Sequence, residues 1–470
     1  MIASGDLHSK GAHTMRLNFE SLVYDLPEDV LRAELAGDFD RERRLIERRL
    51  ADARLSDGMR DRLLVERELI DRRLRRYVLT RAEAIAACQK RIRDFTEEEF
   101  DRLEDDGCMD SFYINGERKY LSSAAGTLIH MFPTIAARTD EAEDEPGRLD
   151  AYIDEITKNG ESAYHYRVRS EVRIKPAAFV PGETYLAHLP IPAACAQQPA
   201  GDIAVFADAD GDVAPVTAFQ RAVCYRRKMD ENRPFAVEYE FTSRLKYVNP
   251  FVDEPHIVYP DALPVCADDL AEQLPHISFT PYLKRLAQEI AGDETRPLYL
   301  ARRAYDYVTR SVRYSFMRSY ILIERHAEFA ALNLKGDCGI QAILFITLCR
   351  LMGVPARWQS GLTVETKTTG NHDWAQFYTD EFGWLFADPS YGGGAYKRGD
   401  ERRWNFYFGN LDPFRMIANR RYQTEFDMPK AFERFDPYDN QDGEIETETR
   451  GLDNTDYDTV NTTLVYQKLK

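Results

Sequence analysis

A single cysteine stands beside two glycines and ahead of an apolar run in residues 334–345, LKGDCGIQAILF. The residues after Cys338 have the pattern of a buried helix, and this helix would begin close to the sulfur. A helix start has free N–H groups and partial positive charge, and both stabilise a thiolate. Cys338 is therefore a candidate nucleophile, although a small buried core cysteine would give the same local pattern.

A histidine and an aspartate follow at the two open ends of a predicted β-hairpin. His372 opens an alternating segment, residues 379–383 predict the turn, and the return strand reaches Asp388. In an antiparallel hairpin these two residues become neighbours, so the carboxylate could hold one imidazole nitrogen and leave the other for a thiol. Together with Cys338 they predict a Cys–His–Asp triad of nucleophile, base and orienting group.

Two longer segments resemble a known family. GDCGIQAILFITLCRLMGVPARWQSG and NHDWAQFYTDEFGWLFADPSYG are similar to the core of the transglutaminase-like superfamily, of the bacterial cysteine protease or amidase type. The resemblance covers residues 295–395. It implies a papain-like α+β core, in which the cysteine helix packs on an antiparallel sheet. It also implies that Cys338 is the nucleophile, His372 the general base and Asp388 its partner.

Four further residues are candidates for supporting roles. The backbone N–H of Cys338 is a natural first oxyanion donor, and by the resemblance the Tyr314 side chain is a candidate second donor. Trp358 and Trp374 could line the substrate cleft, and Asp373 could raise the pKa of the neighbouring imidazole or select a basic substrate. A role in the core is an open alternative for Tyr314 and both tryptophans.

The rest of the chain divides by its periodicity. Residues 41–93 are rich in arginine at helical spacing, and Thr80 with Glu83 has the spacing of a capping box. Alternating segments after residue 161 predict a β-sandwich-like domain. The predicted order is a flexible leader at 1–27, a helical hairpin region at 28–108, a β-hairpin and acidic linker at 109–160, the sandwich-like domain at 161–260, the catalytic domain at 265–435 and an acidic C-terminal tail at 436–470.

Composition excludes several function classes. The 470 residues carry a formal net charge of -17, which argues against binding to nucleic acid or to an anionic membrane. No apolar run is long enough for a membrane span, and the N-terminus lacks the apolar core of a secretory signal. The seven cysteines form no CxxC pair, so we expect neither disulfides nor a metal or other cofactor, and we expect a cytoplasmic location.

Three functions fit these observations. The preferred hypothesis is thiol-dependent hydrolysis of an amide or peptide bond in a peptide or protein substrate. A protein-glutamine transglutaminase would use the same triad with an amine as acceptor. A noncatalytic protein-interaction scaffold on the same fold is the alternative from another class. The arginine-rich helical region could dock an acidic partner, or its charges could pair locally.

Overall fold

The computed structural model describes residues 19–140, 147–364, 369–432, 434 and 436–469. Most of the predicted leader and the centre of the predicted acidic linker, residues 1–18 and 141–146, lie outside the described residues. Among the residues that are described, no helix is both long and apolar enough to cross a membrane.

The N-terminal region is mainly helical. The capping box predicted for Thr80 and Glu83 is confirmed, and it satisfies N–H groups at the start of a helix. Many arginines of this region pair within it, as Arg73 does with Glu66 (2.7 Å) and Glu34 (2.6 Å), whereas Arg75 and Arg76 also reach Asp453 of the C-terminal segment (both 3.4 Å). The elements are α1 (Glu28–Leu35), α2 (Phe39–Leu50), α3 (Asp57–Arg76), β1 (Tyr77–Leu79), α4 (Arg81–Arg91) and α5 (Glu97–Asp105).

A small β-hairpin and three helices follow. Asn115 and Gly116 form the hairpin turn with φ angles of 48° and 90°, values that asparagine and glycine adopt most readily. The hairpin adds to β1 in a three-stranded sheet of order β1-β3-β2. These elements are β2 (Ser111–Ile114), β3 (Glu117–Leu121), α6 (Ala124–Met131), α7 (Pro133–Ala136) and α8 (Arg148–Asn159).

The middle of the chain forms strands that alternate between buried and accessible side chains. In the first of them, Tyr166, Val168, Ser170 and Val172 are buried while the residues between them are partly exposed, as expected for a strand with one face on a core. The strands are β4 (Glu161–Ile174), β5 (Glu183–Pro190), β6 (Ala204–Ala207), β7 (Gly211–Val213), β8 (Ala222–Met229) and β9 (Phe235–Lys246).

The next part of the chain combines helices with a five-stranded antiparallel sheet of order β15-β14-β13-β12-β16. Every residue of α12 from Cys338 to Arg350 is buried, and Phe345 of this helix contacts Phe377 of β13. The elements are α9 (Pro281–Ala291), α10 (Pro297–Ser311), β10 (Arg313–Tyr314), α11 (His326–Asn333), β11 (Lys335–Gly336), α12 (Cys338–Leu351), β12 (Ala356–Val364), β13 (Thr369–Thr379), β14 (Gly383–Ala387), α13 (Pro389–Lys397), α14 (Glu401–Phe406), β15 (Phe408–Gly409) and β16 (Arg415–Asn419). The predicted α+β class is confirmed.

The C-terminal residues, predicted as a tail from their acidic composition, contribute strands to the two sheets of the middle region. They form β17 (Glu444–Thr447), which pairs with β5, and β18 (Tyr457–Lys468), which pairs with β4 along its length. The acidic side chain of Glu444 is buried against Lys430 (3.0 Å) and Arg434 (2.8 Å), so cations from the loop that precedes β17 neutralise it. Two four-stranded sheets result, β18-β4-β9-β6 and β17-β5-β8-β7, and their inward side chains share one core.

Candidate active site

Cys338 is the first residue of α12, as the sequence predicted. The side chain of Asp337 caps the helix by accepting a hydrogen bond from the Ile340 N–H (3.2 Å), and the Tyr320 hydroxyl donates to the same carboxylate. A Cβ at Gly339 would lie 2.3 Å from that hydroxyl and 2.7 Å from Oδ2 of Asp373. Glycine is therefore required by close packing, and the space beside it is filled by side chains.

The thiol of Cys338 is hydrogen-bonded to the carboxyl group of Asp373. Its Sγ donates to Oδ2 of Asp373 at 3.3 Å, and the cysteine is only 9% exposed. Burial, followed by the charges of Asp373 and Asp337, raises the pKa of the Cys338 thiol well above its usual value. Burial and the Asp337 charge also raise the pKa of Asp373 to about 8. The arrangement described here therefore holds a protonated thiol at neutral pH.

His372 is paired with the predicted aspartate. Its Nε2 lies 2.7 Å from Oδ2 of Asp388, and both side chains are buried. In the hairpin, β13 and β14 pair from Thr379 opposite Gly383 to Ala375 opposite Ala387. Asp388 is the next residue after this last pair, and its side chain reaches the imidazole from there. The other carboxylate oxygen caps α13 by accepting from the N–H of Tyr391 at 2.9 Å.

An arginine that sequence reasoning missed completes this pair. Arg415 of β16 donates from Nη1 to Oδ2 of Asp388 (2.7 Å) and from Nη2 to Asp412 (2.6 Å). Burial alone would raise the pKa of Asp388, but His372 and Arg415 together outweigh it and hold that pKa well below the usual value. Asp388 is therefore a carboxylate at neutral pH. No local motif marks Arg415, because the contact forms across the sheet.

Two aromatic rings fix the imidazole. The ring of Tyr391 lies 4.3 Å from that of His372, and the ring of Trp374 lies 5.9 Å away, nearly parallel to it. Trp374 donates from Nε1 to Oε1 of Gln359 at 2.9 Å, which orients the indole. Trp374 is completely buried, so it supports the histidine and does not form an open cleft wall.

The expected hydrogen bond between Cys338 and His372 is absent from the part of the chain that the structure describes. Successive side chains of a strand point to opposite faces of the sheet. Asp373 lies on the face of β13 that carries Phe377, against which α12 packs, so the thiol meets Asp373. His372 lies on the other face with Asp388. Two members of the predicted triad are together, and the third is bonded to the residue next to the histidine.

The other predicted residues are divided between this site and a separate region. Tyr314 of β10 pairs in register with Gly336, two residues before Cys338, and its ring packs 6.0 Å from that of His130. Burial, followed by the nearby Cys338, raises the pKa of Tyr314 well above its usual value. Trp358 lies on β12 near Tyr422, at the edge of a different cavity.

Two residues of the predicted C-terminal tail, Asp439 and Gln441, contact β12 and β13 beside Asp373 and His372. Gln441 donates from Nε2 to Oδ1 of Asp373 (2.7 Å) and to the backbone oxygen of His372 (3.0 Å). Ser360 donates to the buried Asp439 of the same segment. Within the described residues, no group of three or more histidine, cysteine or acidic side chains could hold a metal ion.

Comparisons with known proteins bear on residues 284–389, which match the sequence profile of the transglutaminase-like superfamily. A search of curated proteins gives no significant match. Among solved structures, a provisionally assigned cysteine protease of Cytophaga hutchinsonii is 14% identical, with a TM-score of 0.40 over 65% of this chain and 92% of that one. The periplasmic domain of TgpA from Pseudomonas aeruginosa is 16% identical, with a TM-score of 0.27 over 57% and 99%. The profile match identifies residues 284–389 as a domain of the transglutaminase-like superfamily.

Proposed function

We propose that the protein is a thiol-dependent acyl-transfer enzyme that acts on amide or peptide bonds, with Cys338 as nucleophile, His372 as base and Asp388 as orienting group. One observation carries the proposal. The His372–Asp388–Arg415 arrangement holds Nε2 of the imidazole, while Nδ1 has no hydrogen bond among the described residues. An imidazole oriented by an ionised carboxylate, with its other nitrogen free, is the arrangement that a general base requires.

The reaction follows from these roles. The S–H proton of Cys338 passes to Nδ1 of His372, and the sulfur forms a bond to the substrate carbonyl carbon. The backbone N–H of Cys338 at the start of α12 would stabilise the resulting oxyanion. The C–N bond then breaks, and the leaving amine takes the proton from the imidazole. A water molecule attacks the thioester, which releases the acid and restores the thiol.

This reaction requires the thiol to leave Asp373. The donor bond from Cys338 to Asp373 and the raised pKa of the thiol both oppose attack in the arrangement described above. Because Asp373 and His372 lie on opposite faces of β13, the proposed active form requires this part of the strand to shift so that the thiol meets Nδ1 of His372. Asp373 then keeps its hydrogen bond from Gln441. We assign hydrolysis as the outcome because water needs no acceptor site of its own, whereas transamidation requires a bound amine.

A noncatalytic scaffold is the second candidate. It is favoured by the same two observations, a buried thiol with a raised pKa and a bond to a carboxylate in place of an imidazole. A protein that used this domain only for contacts would keep Cys338 unreactive at every pH at which it stays folded.

Thiol reactivity distinguishes the two candidates. Iodoacetamide labelling would be followed for each cysteine by mass spectrometry between pH 6 and pH 9, in the wild type and in His372→Ala. For an enzyme, Cys338 labels faster than Cys349 of the same helix and loses this advantage without His372. Equal labelling of the two cysteines, unchanged by the substitution, would instead establish the scaffold.

The reaction class is tested next, on peptide amides. Release of a carboxylic acid without added amine identifies the hydrolase. Incorporation of a fluorescent primary amine into a glutamine-containing peptide identifies a transglutaminase. Cys338→Ala is the control for both assays, since it removes the nucleophile and keeps a small side chain at the helix start.

A further inference from the structure

A large cavity lies at the opposite end of α12 from Cys338. It has a volume of about 1040 Å³ and is lined by Ile346 and Arg350 of α12, by Trp358 of β12 and by the loop that carries Gln197. Neither Cys338 nor His372 lines it. A volume of this size is suited to a ligand of several amino-acid residues.

Three buried polar atoms in the wall have no hydrogen-bond partner among the described residues. They are Nε1 of Trp358, a donor, and the side-chain oxygens Oε1 of Gln197 and of Gln423, both acceptors. Trp358 is 2% exposed and Gln197 is 1% exposed. A buried polar atom without a partner costs about 1–3 kcal/mol, so such atoms in a cavity wall indicate a ligand that would bond to them.

The orientation of the Gln197 amide follows from its neighbours. The indole N–H of Trp374 can only donate, and it donates to Oε1 of Gln359. The same oxygen accepts a second hydrogen bond from Nε2 of Gln197 at 2.7 Å. The amide nitrogen of Gln197 is therefore directed to Gln359, which leaves its oxygen as the free acceptor.

Three arginines of the same wall bond only to uncharged oxygens within the described part of the chain. Arg357 donates to the side-chain oxygen of Gln376 (2.8 Å) and to a backbone oxygen. Arg350 donates to two backbone oxygens, at 3.0 and 2.8 Å. Arg420 also donates to backbone oxygens. Burial lowers the pKa of Arg350 and of Arg357 to about 10 and also lowers the pKa of Arg420. A guanidinium group stays protonated in proteins, so all three are cations at neutral pH.

The carboxylates of the cavity do not neutralise these arginines by direct contact. Asp269 is the buried one, and its Oδ2 accepts from the backbone N–H of Cys266 at 2.9 Å. Four others lie at the exposed rim, where Asp268 pairs with a fourth arginine, Arg421, at 3.5 Å; these rim residues are Asp261, Asp268, Glu272 and Glu425. The whole lining has five carboxylates and four arginines, but only one of these carboxylates, Asp269, is buried, and it lies near Arg350 and Arg357 without bonding to them.

We propose that this cavity binds an acidic peptide segment of a partner or substrate protein. A peptide backbone supplies a C=O for Trp358 Nε1 and an N–H for Gln197 Oε1, and glutamate or aspartate side chains supply anions for the arginines. Inorganic phosphate would satisfy the arginines, but as a hydrogen phosphate dianion it offers little donor capacity to Gln197. The bonds to Arg350 and Arg357 would be charge-assisted, the stronger class of hydrogen bond.

Binding at this cavity is separable from catalysis. The inference would hold for an enzyme and for a scaffold, since no lining residue belongs to the proposed triad. If the protein is the proposed enzyme, the cavity would hold a part of the protein substrate remote from the cleaved bond.

The test uses the full chain with Cys338→Ala, which prevents turnover. Fluorescence anisotropy would follow a fluorescein-labelled pentapeptide with three central glutamates, alongside matched peptides with three glutamines or three lysines. We expect the glutamate peptide to bind at least tenfold more tightly than the other two. Adding Arg357→Gln should weaken its binding about tenfold, the effect of one charge-assisted hydrogen bond, and adding Trp358→Phe should weaken it about fivefold, the effect of one neutral hydrogen bond.

Controls separate binding from folding. Trp358→Phe keeps an aromatic ring at the position beside Tyr422 and removes the donor together with the five-membered ring that carries it. Arg285→Gln, on an exposed part of α9, should leave binding unchanged. Equal affinity for the glutamine peptide would overturn the proposal, as would unchanged binding in both cavity variants at an unchanged melting temperature. Displacement of the peptide by inorganic phosphate at equal concentration would also overturn it, and would identify a simple anion site.

Discussion

Cys338 donates its thiol hydrogen to Asp373 at 3.3 Å, whereas the imidazole that would activate it belongs to the preceding residue, His372. The two side chains of this dipeptide lie on opposite faces of β13. One face presents a carboxylate to the sulfur, and the other presents the imidazole to Asp388. Asp373 therefore competes with His372 for the thiol, and the chemistry of the site depends on which of them the sulfur meets.

Replacing this carboxylate should make the thiol more reactive. In Asp373→Asn the negative charge beside Cys338 is lost, so we expect the thiol pKa to fall and iodoacetamide labelling at pH 9 to accelerate about tenfold. Cys349, buried in the same helix, should stay slow, and the exposed Cys266 should be equally fast in both proteins. An unchanged Cys338 rate would mean that burial alone suppresses the thiol.

The same substitution should change how stability depends on pH. The folded pKa of Asp373 is raised to about 8 from an ordinary value of 3.8, so the folded state holds this proton more tightly. The protonated carboxyl group makes its full contribution to the free energy of unfolding below pH 4, and this contribution is lost as the pH rises towards 8. The Asp373→Asn variant does not show this loss. Between pH 5 and pH 8 its free energy of unfolding should therefore rise by several kcal/mol relative to that of the wild type.

Urea unfolding at pH 5 and pH 8 measures this difference. Asp388→Asn is an informative comparison because the pKa of Asp388 is lowered, so its contribution is present above pH 4 and is lost on acidification. Between pH 5 and pH 8 the difference in the free energy of unfolding from the wild type should therefore grow with pH for Asp373→Asn and stay constant for Asp388→Asn, and the Asp388→Asn difference should shrink only below pH 4. A parallel pH dependence in wild type and Asp373→Asn would show that Asp373 does not carry the raised pKa.

Arg415 should be required for the stability of the fold. It is 1% exposed and pairs with both Asp388 and Asp412, so Arg415→Met leaves two buried carboxylates without their cation. We expect a loss of about 3–5 kcal/mol in the free energy of unfolding, measured by chemical denaturation. Arg285→Met, on an exposed surface, should change it by no more than about 0.5 kcal/mol. A loss below about 1 kcal/mol for Arg415→Met would contradict the buried network.

The last strand should be essential for the sheet that contains β4. Ending the chain after residue 456 removes β18 and leaves the long edge of β4 unpaired. We expect a lower melting temperature by circular dichroism, and self-association on size exclusion because an exposed sheet edge can pair with another chain. Val460→Thr, at a site 54% exposed, should leave both measurements unchanged. A monomeric truncated chain with the wild-type melting temperature would contradict this role.

Local sequence was sufficient where the interactions are local. The start of α12 at Cys338, the turn at 379–383 and the approach of His372 to Asp388 follow from short-range periodicity, capping and turn chemistry. Each of these features is decided by residues close together in the chain, so the pattern alone predicts them. The superfamily of the central domain also followed from its motifs and is supported by the profile match.

Only the tertiary structure decided which groups meet the sulfur. The sequence predicted that side chains alternate along β13, but it does not say which face of the strand packs against α12. The observed packing brings Asp373 to Cys338 and places His372 on the other face. Arg415 and Gln441 reach the site from 27 and 68 residues beyond their partners Asp388 and Asp373. The acidic C-terminus becomes strands because β4, β5, Lys430 and Arg434 supply hydrogen bonds and charge that no local pattern contains.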